Sequence, residues 1–338
     1  MARFIKTLKK TALAASIASL ATVANATIVT SIKPLGFIAS SIADGVTDTE
    51  VLVPAGASPH DYSLKPSDIQ KLQGAELILW VGEDIDAFLD KTLRPMPFKK
   101  ALSIADFAEI GGLLEGEAHD HKHEHDHDHT HKHDHAHKHD HDHKHDHAHK
   151  HDHDHKHDHA HEHDHDHSTN WHVWYSPEIS KIVATRLATR LTEAYPEKKA
   201  KIAQNLAEFN RTLAEQSEKI KQQLAPVKEK GFYVFHDAYS YFNNAYGLKQ
   251  TGYFTINPLV APGAKTLAKI KQEIKAHKVN CLFAEPQFTP KVIESLSKGT
   301  GVHVGRLDPM GDAVKLGVNS YANFLQYTAD SYFACLSK

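Results

Sequence analysis

Cysteine is almost missing from this chain. Only Cys281 and Cys335 occur among 338 residues, and their separation is unlike the CxxC spacing of a thiolate metal site. No cysteine stands directly after the N-terminal leader, so lipid attachment at a mature N-terminal cysteine is not expected. In an oxidising compartment an isolated pair reads most simply as a disulfide, with a pair of metal thiolates as the alternative. Long apolar runs are equally scarce. The one through Leu13, Ala14, Ile17, Leu20 and Val23 falls short of the roughly 20 residues that a membrane span requires. Basic charge is lacking too. The formal charge is −3, but residues 119–167 hold fourteen acids against six lysines, so the remainder carries +5, four of it at Arg3, Lys6, Lys9 and Lys10. A nearly neutral mature part offers no basic face to nucleic acid.

What is present begins with a secretory pattern. A basic segment from Arg3 to Lys10 precedes the short apolar run, and Ala24-Asn25-Ala26 places small residues where signal peptidase reads. Residues 1–26 are expected to be a signal peptide cleaved after Ala26, leaving an exported chain that starts at Thr27 without a lipid anchor.

Between His119 and His167 every odd-numbered residue is histidine, twenty-five in all. The unit HDHAHKHDHDHK starts at His133, repeats unchanged at His145 and returns with two substitutions at His157. The even positions carry no Val, Ile, Leu or aromatic residue to bury, so the tract is expected to be disordered. Imidazole is the commonest metal ligand, and a histidine-rich tract points to metal, here as several weak sites at the odd positions. A hydrophilic insertion that binds metal only incidentally is the plainer alternative.

The rest of the chain alternates strand and helix. Thr27–Ser31, Val51–Val53 and Leu77–Val81 read as strands, with helices from Leu35 and from Pro66 between them. After the tract, Pro177 can open a helix. A longer pattern behind Pro196, through Ile202, Leu206, Phe209, Leu213, Ile220 and Leu224, predicts one helix of about seven turns. The second half repeats the first: strands at Phe232–Phe235, Gly252–Phe254, Cys281–Ala284 and Val302–Leu307, helices through Leu267–Ile274, from Pro290 to Lys298 and from Tyr321 to Leu336. The expected fold is α/β: two small lobes with mainly parallel sheets flanked by helices, joined by one long rigid helix. Residues 27–118 and 168–195 would form the first lobe, 196–226 the linking helix and 227–338 the second lobe.

Five histidines lie outside the tract. His60 follows a strand, His172 precedes a helix and His236 ends a strand, the positions where ligands gather in open α/β sheets. They are the expected metal ligands, in the cleft between the lobes. His277 reads as a solvated surface residue, and His303, inside an apolar strand, as a packed one. Protons compete for imidazole below about pH 6.5, so binding at such a site should weaken on acidification.

Several motifs in order carry a specific resemblance: GASPHDYSLKPSD around His60, WHVWYSPE around His172, VFHDAYSYF around His236, FAEPQF at Glu285 and RLDPMGD at Asp308. Over essentially the whole mature chain the sequence resembles the zinc-specific substrate-binding proteins of bacterial ABC uptake systems, the ZnuA type within the TroA-like metal-binding family. The resemblance implies a monomeric periplasmic protein that captures Zn²⁺ as cargo at His60, His172 and His236. It implies delivery to a membrane permease served by a cytoplasmic ATPase. Asp308 occupies the place of a carboxylate ligand in manganese-type relatives, and here stands as a fourth ligand or beside a bound water. Those manganese and iron relatives usually have Glu where this chain has His236, and three imidazoles suit Zn²⁺ better than Mn²⁺. One departure is Pro59: zinc-type relatives can carry a Glu there that approaches the metal.

Three rival readings remain at this level. A manganese- or iron-type carrier of the same family is one. A zinc hydrolase would also use three histidines and a water, but no motif supplies its base and substrate pocket. An extracellular zinc buffer or adhesin would explain the tract but leave the cleft without a role.

Overall fold

The computed structural model describes residues 27–97, 99–116, 169–288 and 291–338. The expected signal peptide, the histidine tract and the Pro290 helix start lie outside these. The first sheet is built from β1 (Thr27–Thr30), β2 (Asp48–Val51), β3 (Leu77–Trp80) and β4 (Ala101–Ser103), in the order β2-β1-β3-β4 with every pairing parallel. Helices α1 (Lys33–Ile42), α2 (Pro66–Gly74) and α3 (Glu83–Leu93) connect them. Pro66 opens α2 as its missing N–H allows, and the Asp68 carboxylate accepts the Lys65 amide at 2.9 Å to close the first turn.

A two-residue antiparallel pair follows, β5 (Glu115–Gly116) against β6 (Thr169–Asn170). Then come α4 (Pro177–Ala194), capped by the Ser176 hydroxyl on the Ile179 amide, and α5 (Lys199–Leu224). At 26 residues α5 spans about 39 Å. Its buried side chains Ile202, Asn205, Phe209, Leu213, Ile220 and Leu224 recur at three, four and seven, which is the one face that the sequence period marked.

The second sheet comprises β7 (Phe232–His236), β8 (Gln250–Thr255), β9 (Cys281–Ala284) and β10 (His303–Arg306), ordered β10-β9-β7-β8 and wholly parallel. Helices α6 (Ser240–Tyr246), α7 (Ala264–Lys275), α8 (Lys291–Thr300) and α9 (Ser320–Leu336) complete the chain. Read from β8 to β10, this order matches the first sheet strand for strand. Both sheets therefore reverse direction between their first and third strands, at β1/β3 and at β7/β9, and such a reversal opens a crevice beyond the strand ends. Cys281 of β9 and Cys335 of α9 form the disulfide.

The fold is the two-lobed α/β arrangement with a long joining helix. One apolar core nevertheless runs through both halves, from Ile28 and Phe37 through Leu213 to Phe232, Phe283 and Leu336. Helix α9 is shared between them. Ser320 donates to the Phe37 carbonyl at 3.1 Å and Tyr321 to the Trp174 carbonyl at 2.8 Å. Asn205 of α5 donates to the carbonyls of Ile42 and Asp44, capping α1.

Three local expectations shift. The second strand lies at Asp48–Val51 rather than Val51–Val53; Leu52 and Val53 still donate to Thr30 and Ser31, but the chain then turns away at Pro54. Helix α3, whose Ile85, Leu89 and Leu93 are buried at a spacing of four, and the three-residue strand β4 were not anticipated. His303 is exposed rather than packed, because β10 is the edge strand of its sheet. His277 is exposed as expected.

Candidate metal centre

The three histidines come from three different local devices. His60 sits on a short 3-10 turn, Pro59–Asp61, that follows β2 and is started by the Ser58 hydroxyl accepting the His60 amide. His172 lies between β6 and α4, and His236 is the last residue of β7, at the strand reversal of the second sheet. Their ligand atoms all lie within 4.8 Å of one another, and ring centroids are 5.0 to 5.7 Å apart. His172 and His236 are buried, and His60 is partly so.

Two of the rings are locked by their outer nitrogens. His236 Nδ1 lies 2.8 Å from both oxygens of Glu285, the residue that follows β9, and the Tyr239 hydroxyl donates to the same carboxylate at 2.9 Å. His172 Nδ1 lies 2.8 Å from Asn170 Oδ1, which also accepts the His172 amide. That amide orientation is fixed because Asn170 Nδ2 donates to the Asp237 carbonyl and to Ser240. Both rings therefore carry their proton on Nδ1, leaving each Nε2 as a lone pair.

Those two lone pairs face each other at 3.2 Å. Neutral acceptors at that distance repel unless something positive lies between them. Zn–N bonds of about 2.0–2.1 Å in tetrahedral geometry place neighbouring nitrogens about 3.3 Å apart. His60 Nε2 is likewise buried without a hydrogen-bond partner among the described residues. The donor set fits a cation of zinc's size and softness.

The field favours neutral rings. Burial, followed by the neighbouring His236, pushes the His60 imidazole down to about 3. Burial does the same to His172, which sits well below the ordinary histidine value, with His236 and His60 adding to the effect. Deprotonated imidazole is the form that binds metal.

Asp308 is not brought into this cluster. It is buried nearby, and both oxygens are occupied: Oδ1 accepts from Gln287 Nε2 and the Met310 amide, Oδ2 from the Asp312 amide. Above the histidines opens a cavity of about 600 Å³ lined by His60, His172 and the acids Glu83, Asp84, Asp90 and Asp237. Thr169, the first described residue after the tract, lies on its wall.

Asn170 escaped the sequence reading, and Tyr239 and Glu285 entered it only as parts of motifs. A polar residue two before a candidate ligand, and an acid just past an apolar strand, were the available signals.

Residues 28–335 match the ZnuA family, described as the periplasmic component A of the zinc-uptake complex. The high-affinity zinc uptake system protein ZnuA of Haemophilus influenzae is 68% identical over 335 residues, covering 98% of this chain and 99% of that protein. Its counterpart from Yersinia pestis is 43% identical, covering 93% and 92%. A crystal structure of ZnuA at 22% identity superposes with a TM-score of 0.67, covering 92% of this chain and 99% of that one, and so shares the fold. With the match running nearly end to end, the chain belongs to the ZnuA family of periplasmic zinc-uptake components.

Proposed function

We propose that this protein captures a single Zn²⁺ at His60, His172 and His236 and hands it to an ABC permease for import. The observation that carries the reading is the pair of locked Nε2 lone pairs 3.2 Å apart beside a third unpartnered nitrogen. Asp308 or a water completes the coordination, and the hydrogen bonds already made by both Asp308 oxygens favour the water. The same bonds argue against a manganese-type site, which would want a carboxylate ligand. A carrier rather than a hydrolase fits the family match, and the carboxylate on His236, Glu285, is already taken by that ring and by Tyr239.

Residues 1–26 act as the export signal, removed after Ala26, and the protein works as a periplasmic monomer. The histidines from 119 to 167 gather or buffer zinc weakly, since twenty-five imidazoles alternating mainly with acids and lysines offer many metal ligands but no single defined set. The permease and its cytoplasmic ATPase are the partners, and a modest lobe or loop movement frees the cargo.

Zinc stoichiometry and affinity by chelator competition test the assignment. A chain lacking residues 119–167 should retain one tight zinc, and His236→Ala in that background should lose it. Retention of the tight site in the His236→Ala protein would refute the ligand set.

A further inference from the structure

The side-chain amide of Gln287 has one orientation open to it. Its Nε2 donates to Asp308 Oδ1 at 2.8 Å, and the Asp312 carboxylate interacts with the same amide. Both neighbours are carboxylates. An amide oxygen turned toward them would meet only lone pairs, so the nitrogen belongs on that side. Asp308 cannot swing away, because the amides of Met310 and Asp312 hold it at 3.0 and 2.7 Å.

The amide oxygen is thereby turned from the acids. It is buried and has no hydrogen-bond partner among the described residues, and Gln287 lines the same small cavity as His60, His172 and His236. Pro59, Trp174, Phe288 and Met310 also line that cavity. The Trp174 indole N–H is spent on the Pro309 carbonyl; the Ser58 hydroxyl accepts the His60 amide and keeps its own proton, but makes no hydrogen bond to Gln287 Oε1. An unsatisfied buried carbonyl is costly, so this oxygen calls for a donor from within the cavity.

We propose that Gln287 Oε1 is the acceptor for a water that fills the fourth position of the cation held by His60, His172 and His236. This rests on the zinc reading above. Water bound to Zn²⁺ is a strengthened donor, and a neutral amide oxygen can hold it without competing for the metal. A carboxylate at the same point would enter the coordination shell or draw off the proton. The amide thus keeps the fourth ligand an exchangeable water, which suits a protein that must give up its cargo. It also withholds the hard anionic oxygen that Mn²⁺ prefers. Asp308 acts one step further out, as the group that aims the amide.

The test is chelator competition on the full-length protein, with free zinc buffered below the range in which the histidine tract loads, combined with the visible spectrum of the Co²⁺ form. Gln287→Leu should weaken tight-site zinc binding by about 10- to 100-fold and shift the cobalt bands. Gln287→Glu should narrow the preference for zinc over Mn²⁺. Zinc affinity of Gln287→Leu within threefold of the parent would overturn the proposal. So would weaker binding with an unchanged cobalt spectrum, because that marks a merely structural role. His236→Ala in the same titration separates the two layers: if it still binds zinc tightly the zinc site itself is misassigned. If it loses zinc while Gln287→Leu does not, only the water acceptor fails.

Discussion

Between pH 7.5 and pH 5 the metal-free protein is expected to keep His60 and His172 neutral, because burial holds both far below the ordinary histidine value. The unfolded chain has no such restraint and titrates near pH 6.5. Protons then bind the unfolded state more than the native one, so stability is complete above pH 6.5 and drains away as the pH falls below it. At pH 5 His60 alone costs about 2 kcal/mol, and His172 adds to the loss in the same direction. Asp86 works in the opposite direction: burial pushes its carboxyl up to about 7, against hydrogen bonds from Ser31, Val81 and Gly82, so it gains stability over the same interval. The clean measurement is therefore a difference. Urea unfolding of the parent and of His60→Ala, each without metal, should diverge by about 2 kcal/mol between pH 7.5 and 5, the parent losing more. Zinc binding shows the complementary effect. Three solvated imidazoles would lose about 3 × 10⁴ in affinity over that range, each contributing a factor of about 30. With His60 already neutral in the folded site and His172 shifted the same way, the fall should be at least about thirtyfold smaller. The sequence alone implied ordinary proton competition; burial transfers much of that cost from binding to folding. A parallel pH response of parent and His60→Ala, or a fall in affinity of 10⁴ or more, would refute the reasoning.

Three further outcomes follow from the site and the core. Glu285→Gln removes one of the two carboxylate oxygens beside His236 Nδ1 and should lower zinc affinity about tenfold, read by chelator competition. Asn170→Ala frees the His172 ring and should cost about 10- to 100-fold in the same assay. The Cys281–Cys335 bond closes a sequence separation of 54, so replacing both residues by Ser should cost about 4 kcal/mol in urea unfolding.

The lobes and the long helix were legible because their signals are local. The apolar period of α5 and the continuous apolar runs of β3 and β9 depend on nothing distant. Helix α3 was missed although Ile85, Leu89 and Leu93 recur every four residues on its buried face; its buried acid, Asp86, accepts from the Ser31 hydroxyl and the Val81 amide. His60, His172 and His236 stood out because each lay beside a strand end or helix start. Their partners did not. Whether an Asn or a Glu turns toward a ligand depends on two chain segments meeting, as β7 and β9 do at His236 and Glu285, and no periodicity records that. His303 was misjudged for a related reason, since an apolar run does not reveal that its strand lies at a sheet edge.

The short strand pair at the root of the histidine tract has a consequence for how the chain can change. Gly116 and Thr169 are paired neighbours, and Tyr241 clamps the join by accepting the Glu115 amide and donating to the Asn170 carbonyl. The 52 residues between them leave and return at adjacent points. The entropy of closing a segment between two adjacent points grows only with the logarithm of its length, so gaining or losing one twelve-residue unit alters it by about 0.2 kcal/mol. Repeat number is therefore nearly invisible to folding. Generations can lengthen or shorten the tract one unit at a time, while Asn170, the residue that aims His172, stays where it is.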